Sequence, residues 1–211
     1  NSKGEQMFNV MFDKIEYNNE GYFTVFKKDK VGLIASDGKL SIQPEYNALG
    51  TINKGILQTL KDKRFGLMDI VRRKEIKAEY EKNLVRYNER VLSAFKNGFY
   101  GLVGWDNKVI APFEYEEIRY WNDSTAIVKK NFNWTIYNFV ERKVILDKIK
   151  TFKWVLDSDQ EKILIVQQEN AYGVISNKRG TIIPATFTDI INLGSESVPL
   201  WAFIPEMILR G

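Results

Sequence analysis

Apolar and polar positions alternate along this chain in short runs, and the runs return at a fixed stride. One set reads GYFTVFKKD (21–29), GILQTLKDK (55–63), RVLSAFKNG (90–98), STAIVKKNF (124–132), EKILIVQQE (161–169) and VPLWAFIPE (198–206). A second set runs from an aromatic-Gly-aliphatic step through a polar turn to Ile-x-Pro, an aromatic and x-x-Ile. Its copies are VGLIASDGKLSIQPEYNAL (31–49), FGLMDIVRRKEIKAEYEKNL (65–84), FYGLVGWDNKVIAPFEYEEI (99–118) and YGVISNKRGTIIPATFTDI (172–190). WTIYNFVERKVILDKI (134–149) is a worn copy, and FNVMFDKI (8–15) matches the second half of the phrase.

Anchored on Gly32, Gly66, Gly101, Thr135 and Gly173, the intervals are 34, 35, 34 and 38 residues. In the four glycine copies the step from Gly to the later aromatic (Tyr46, Tyr80, Tyr115, Phe187) is always 14. A stride near 34 also suits helical hairpin repeats, but Val, Ile, Thr, Phe and Tyr dominate, and Gly and Pro interrupt too often for long helices. SDGK (36–39), WDNK (105–108), NKRG (177–180) and the Asn-Gly of FKNGFYG (95–101) are turn chemistry. NLVRYNERVLSAF (83–95) also reads as an amphipathic helix, but its register with the other copies favours loop then strand.

The expected architecture is therefore all-β, a tandem array of about six three-stranded antiparallel units forming one continuous array over 1–211. It is expected as an open curved solenoid or a propeller-like ring. The recurrent glycine is expected to make room for its aromatic neighbour (Phe65, Tyr100, Tyr172) to pack onto the next unit.

Composition narrows the chemistry. Hydrophobic content of 44% and aromatic content of 13% suffice for a core. The chain has no cysteine and no histidine. This removes disulfides, thiolate metal sites, the cysteine nucleophile and the commonest general base. A formal charge of +4 spread over hairpin lysines reads as solubility. No uncharged apolar run approaches the roughly 20 residues of a membrane helix. Because the sequence opens on Asn, a leader or N-terminal region is expected to have been removed, which suits export to the periplasm, outer membrane or cell surface.

The phrase resembles the bacterial WG repeat over roughly residues 8–204. YGLVGWDNKVIAPFEYEEI carries nearly the whole pattern. The name-giving Trp survives at Trp134, where the Gly is lost, while Val31, Phe65, Tyr100 and Tyr172 replace it elsewhere. The resemblance implies a non-catalytic array used for binding other proteins of a larger assembly, with no cofactor and no active site to carry over.

Four aromatics are the candidate binding residues: Trp105 in a hairpin turn, Tyr120 and Trp121 in the loop after EYEEI, and Trp154 within the longest interval. Loop aromatics stack on sugars or anchor protein contacts; Trp134 and Trp201 read as core. Asp157, Asp159 and Glu161 alternate as hard-cation ligands do, but lack the further ligands and turn glycine of a calcium loop, so they read first as an acidic hairpin tip. Glu114, Glu116 and Glu117 offer paired carboxylates at strand spacing, a glycosidase pattern, but read first as solvent-facing. The basic run VRRKEIK (71–77) is confined to one hairpin tip, so nucleic acid is not an expected partner.

Overall fold

A computed structural model describes residues 12–194 and 200–205. The described chain is all-β, and every pairing is antiparallel. The first sheet orders β1 (Lys14–Asn19), β2 (Tyr22–Lys27), β3 (Lys30–Ala35) and β4 (Leu40–Tyr46). The second orders β5 (Ala48–Leu49), β6 (Ile56–Lys61), β7 (Arg64–Asp69) and β8 (Lys74–Tyr80). The third contains β9 (Val85–Arg86), β10 (Val91–Lys96), β11 (Phe99–Gly104) and β12 (Val109–Tyr115).

The remainder is one eight-stranded sheet in chain order: β13 (Glu117–Asn122), β14 (Thr125–Lys130), β15 (Asn133–Asn138), β16 (Lys143–Asp157), β17 (Lys162–Gln168), β18 (Ala171–Ser176), β19 (Gly180–Asn192) and β20 (Trp201–Pro205). The chain divides into two compact units, residues 1–113 and 114–211. Among the described residues no sheet closes on itself.

Each repeat thus contributes four strands, one more than the sequence reading allotted. The additional strand is the x-x-Ile ending, read as the tail of a phrase. Its backbone instead pairs with the next apolar run, as Ala48 does with Leu60 and Ile118 with Val128. β16 and β19 serve two repeats each: Lys143–Ile149 pairs with β15 and Ile149–Asp157 with β17. The described strands therefore make five four-stranded meanders and the first two strands of another. FNVMF (8–12) lies outside the described residues except for Phe12. Residues 83–95 form loop and strand, as their register requires.

The 14-residue step now has a geometric cause. Val31 pairs with Tyr46 and Leu33 with Ile42, so Gln43, Pro44 and Glu45 face the single residue Gly32. The same three-against-one bulge sets residues 77–79 against Gly66 and 184–186 against Gly173. What crowds the glycine is backbone: a Cβ on Gly32 would lie 2.5 Å from the Ile42 carbonyl oxygen, on Gly66 2.5 Å from that of Ile76, and on Gly173 2.7 Å from that of Ile183. This corrects the expectation that the glycine makes room for its neighbouring ring, although at Gly101 the Phe113 ring does approach, at 2.9 Å. Pro44 and Pro184 sit in these bulges, where a missing N–H breaks no ladder bond. In the worn copy Thr135 replaces Gly, and only Asp147 and Lys148 face it.

The core lies between consecutive meanders, not within one. Leu33, Ile42 and Tyr46 of the first sheet pack with Ile52 and Leu57 of the second repeat. Leu67, Ile76 and Tyr80 then pack with Leu84, Leu92 and Val103 of the third. Within the second unit, Ile127 and Ile136 meet Leu164 and Ile175. A single meander has too little apolar surface to fold alone, so burial is shared from neighbour to neighbour.

Polar staples follow the same stride. Asp13, Asn47, Glu81 and Glu116 each accept, through the side chain, a backbone N–H of the following hairpin turn, at Lys28, Asp62, Asn97 and Phe132. The Tyr46 hydroxyl donates to Glu75 at 3.0 Å, and that of Tyr80 to Asn107 at 2.5 Å, each reaching the next sheet. Burial, reinforced by the nearby Glu79, pushes the Tyr80 phenol up to about 12; burial raises Tyr46 too, and pushes Tyr115 to about 12 with Glu114 beside it.

Two outcomes follow. Gly173→Ala is expected to cost about 2–4 kcal/mol, in the range of core overpacking and strain. Gly98→Ala, which meets no atom within 4 Å and carries only its φ of +83°, should cost about 1 kcal/mol; urea melts of both variants check the contrast. For the tyrosines, the folded state favours the neutral phenol, so its stability contribution is complete below the unfolded value of 10.0 and is lost as pH rises towards the folded value. Ultraviolet titration should accordingly show three of the tyrosines ionising only with, or just before, alkaline unfolding. Normal titration of all of them near pH 10 would contradict these contacts.

Candidate functional site

The second unit gathers an aromatic ladder where the first meander of the eight-stranded sheet faces the next. Trp121 and Trp154 have ring centroids 6.0 Å apart, Trp154 and Phe152 6.0 Å, and Phe152 and Trp134 5.0 Å. β13 supplies Tyr120 and Trp121, and the second half of β16 supplies Phe152 and Trp154. Strand alternation sends Trp121 inward and its neighbour Tyr120 outward. Trp121 is 2% exposed and lies in the core, whereas Tyr120 is 42% exposed. Tyr120 and Trp121 were expected in a loop; they belong to a strand because the x-x-Ile segment pairs with the next run.

Cations border the ladder. The Lys162 ammonium stands 5.6 Å from the Tyr120 ring centre and 5.7 Å from that of Trp154, and pairs with Asp157. The Arg119 guanidinium lies 5.1 Å from Trp134 and 5.5 Å from Phe152, with its Nε 2.6 Å from Glu117. The contacts of the exposed Arg119 contribute about 0.5–1 kcal/mol each. The Tyr120 hydroxyl donates to Asp123 at 3.1 Å, and partial burial, aided by that carboxylate, raises its pKa. Asn177 ties the two meanders together, donating to the Trp121 carbonyl at 3.2 Å and accepting from the Lys162 N–H at 2.9 Å.

Three of the four candidate aromatics, Tyr120, Trp121 and Trp154, therefore meet, although only Tyr120 and the half-buried Trp154 offer surface. Trp105 belongs to the first unit, in the turn between β11 and β12, where it packs half-buried against the third sheet's core.

The candidate acid groups are engaged elsewhere. Glu161 accepts from Ser176 at 2.5 Å and from Arg179 at 2.7 Å, and these bonds lower its pKa. With Asp157 held by Lys162, the acidic tip does not converge, and no group of three potential ligands exists among the described residues. Glu114 pairs with Lys130 at 2.8 Å, Glu116 lies 3.8 Å from Lys129, and Glu117 binds Arg119. In the basic run, the buried Asp69 accepts the Arg72 N–H at 2.7 Å and pairs with the Arg72 guanidinium at 3.2 Å. No helix among the described residues is long and apolar enough to cross a membrane.

One residue escaped the sequence reading. Phe132 is 84% exposed at the tip of the turn between β14 and β15, with φ of +64°. The corresponding turn positions hold Asp29, Lys63, Gly98 and Asn170. A bulky ring at positive φ is uncommon and costs roughly 1–2 kcal/mol against glycine. The signal was present in the repeat alignment, as an aromatic where turn residues belong.

Residues 100–134 match the family model of the WG containing repeat, a window of one period from β11 to the start of β15. A search of curated protein sequences gives no match. Among solved structures, the chain is similar to Hsv2p of Kluyveromyces lactis at 8% identity, covering 80% of this chain and 61% of that one with a TM-score of 0.39. It is similar to a eukaryotic initiation factor at 11% identity, covering 89% and 53% with a TM-score of 0.43. For AztD from Citrobacter koseri the values are 9% identity, 76% and 55% coverage, and a TM-score of 0.40. The chain thus spans less than two thirds of the length of each.

Proposed function

We propose that this WG-repeat chain is a non-catalytic scaffold module that binds another protein within a bacterial cell-envelope or surface assembly. The observation that carries the reading is Phe132. The fold gains nothing from placing a large apolar ring in water on a turn that prefers glycine, so its use lies outside the fold. Aromatic anchors of this kind dominate the energetics of protein interfaces. The repeat architecture supports the same reading, because shared burial leaves hairpin tips free to vary, and Glu114, Glu116, Glu117, Asp157 and Glu161 are each engaged by cations.

Phe132→Gly separates the two roles. It is expected to raise stability by about 1 kcal/mol in urea melts and to abolish capture of the partner from a detergent-solubilised envelope fraction by the immobilised protein. Capture of the same protein by wild type and variant alike, or none by either, would defeat the proposal.

A second reading, glycan binding, is favoured by the convergence of Tyr120 and Trp154 beside Lys162. Oligosaccharides stacking there would quench Trp154 emission, and Tyr120→Ala should weaken that quenching at least about tenfold. Unchanged fluorescence across an oligosaccharide panel rejects it.

A further inference from the structure

A second recess in the C-terminal unit shares Trp154 with the aromatic ladder. It is a cleft of about 480 Å³ whose lining includes Lys153, Val155, Ile165, Tyr172, Asp189 and Ile190. That volume is within the range of small-molecule sites. Val155 and Ile190 belong to a buried apolar cluster against which Ile165 and Tyr172 pack, so the cleft has a firm hydrophobic floor.

It carries one exposed side chain of each charge, Lys153 and Asp189. Lys153 and Asp189 line the same cleft, yet among the described residues neither makes an ion pair. One carboxylate oxygen of Asp189 accepts the Ile190 N–H at 2.8 Å, which fixes the group and leaves its other oxygen available. The Tyr172 hydroxyl has no hydrogen-bond partner among the described residues.

We propose that this cleft binds a small zwitterion with an apolar side chain, of the size of a dipeptide. The ligand carboxylate meets Lys153, its ammonium group meets Asp189, and its side chain lies on Ile165 and the floor beneath. A neutral ligand would leave both charges without a counterpart. A singly charged one would satisfy half of the site. Opposite charges lining one cleft with an apolar floor are the complement of a zwitterion with an apolar side chain.

The test uses the whole chain and leucyl-leucine as probe in isothermal titration calorimetry. Saturable one-to-one binding is expected, with affinity falling at least about tenfold for N-acetyl-leucyl-leucine and for leucyl-leucine amide, each lacking one charge. Lys153→Met should remove the preference for the free carboxylate and keep that for the free ammonium; Asp189→Asn should do the reverse. Circular dichroism of both variants establishes that they fold, and the capped ligands test the wild type without any substitution. Absence of saturable binding up to millimolar dipeptide, or equal affinity for capped and free forms, overturns the proposal.

Discussion

Backbone pressed onto backbone at Gly32, Gly66 and Gly173 is the contact on which each repeat's geometry depends. Three residues of the outgoing strand must fit opposite one residue of the incoming strand, and they do so by bringing a carbonyl oxygen into the volume a Cβ would occupy. The bulge bends and twists its strand. It also restores pairing at a fixed point, so that Val31 faces Tyr46, Phe65 faces Tyr80 and Tyr172 faces Phe187. From there the Tyr46 and Tyr80 hydroxyls reach the next sheet. The local exception at Thr135 supports the account: with a Cβ present, the bulge gives up one residue while Trp134 and Ile149 still pair.

The second consequence is division of labour. Apolar faces are buried between meanders, and turn N–H groups are capped by Asp13, Asn47, Glu81 and Glu116. Hairpin tips are thereby relieved of structural duty beyond closing the turn. The exposed ring of Phe132, the Tyr120 and Trp154 surface and the cleft around Lys153 and Asp189 all occupy positions the stride does not prescribe. The features proposed for binding are those in which one copy departs from its siblings.

Much of this was legible in the residues. The stride, the antiparallel hairpins and the aromatic at a constant step follow from alternation and turn chemistry, because these depend on neighbours within one copy. The fourth strand was not legible. Val85–Arg86 and Ala48–Leu49 are too short to announce themselves; they are strands only because the next apolar run supplies their hydrogen bonds. The same fact moved Tyr120 and Trp121 from a loop to a strand, and with it turned Trp121 from a surface candidate into core.

By itself, then, the sequence determined the stride of the repeat and the all-β class, since periodicity and glycine placement are local properties of the chain. Tertiary structure decided which rings face water, which carboxylates are neutralised, and which opposite charges line one cleft without touching. Those depend on distances between residues far apart in the chain, such as Tyr120 and Lys162 or Lys153 and Asp189, and no spacing along a single strand encodes them.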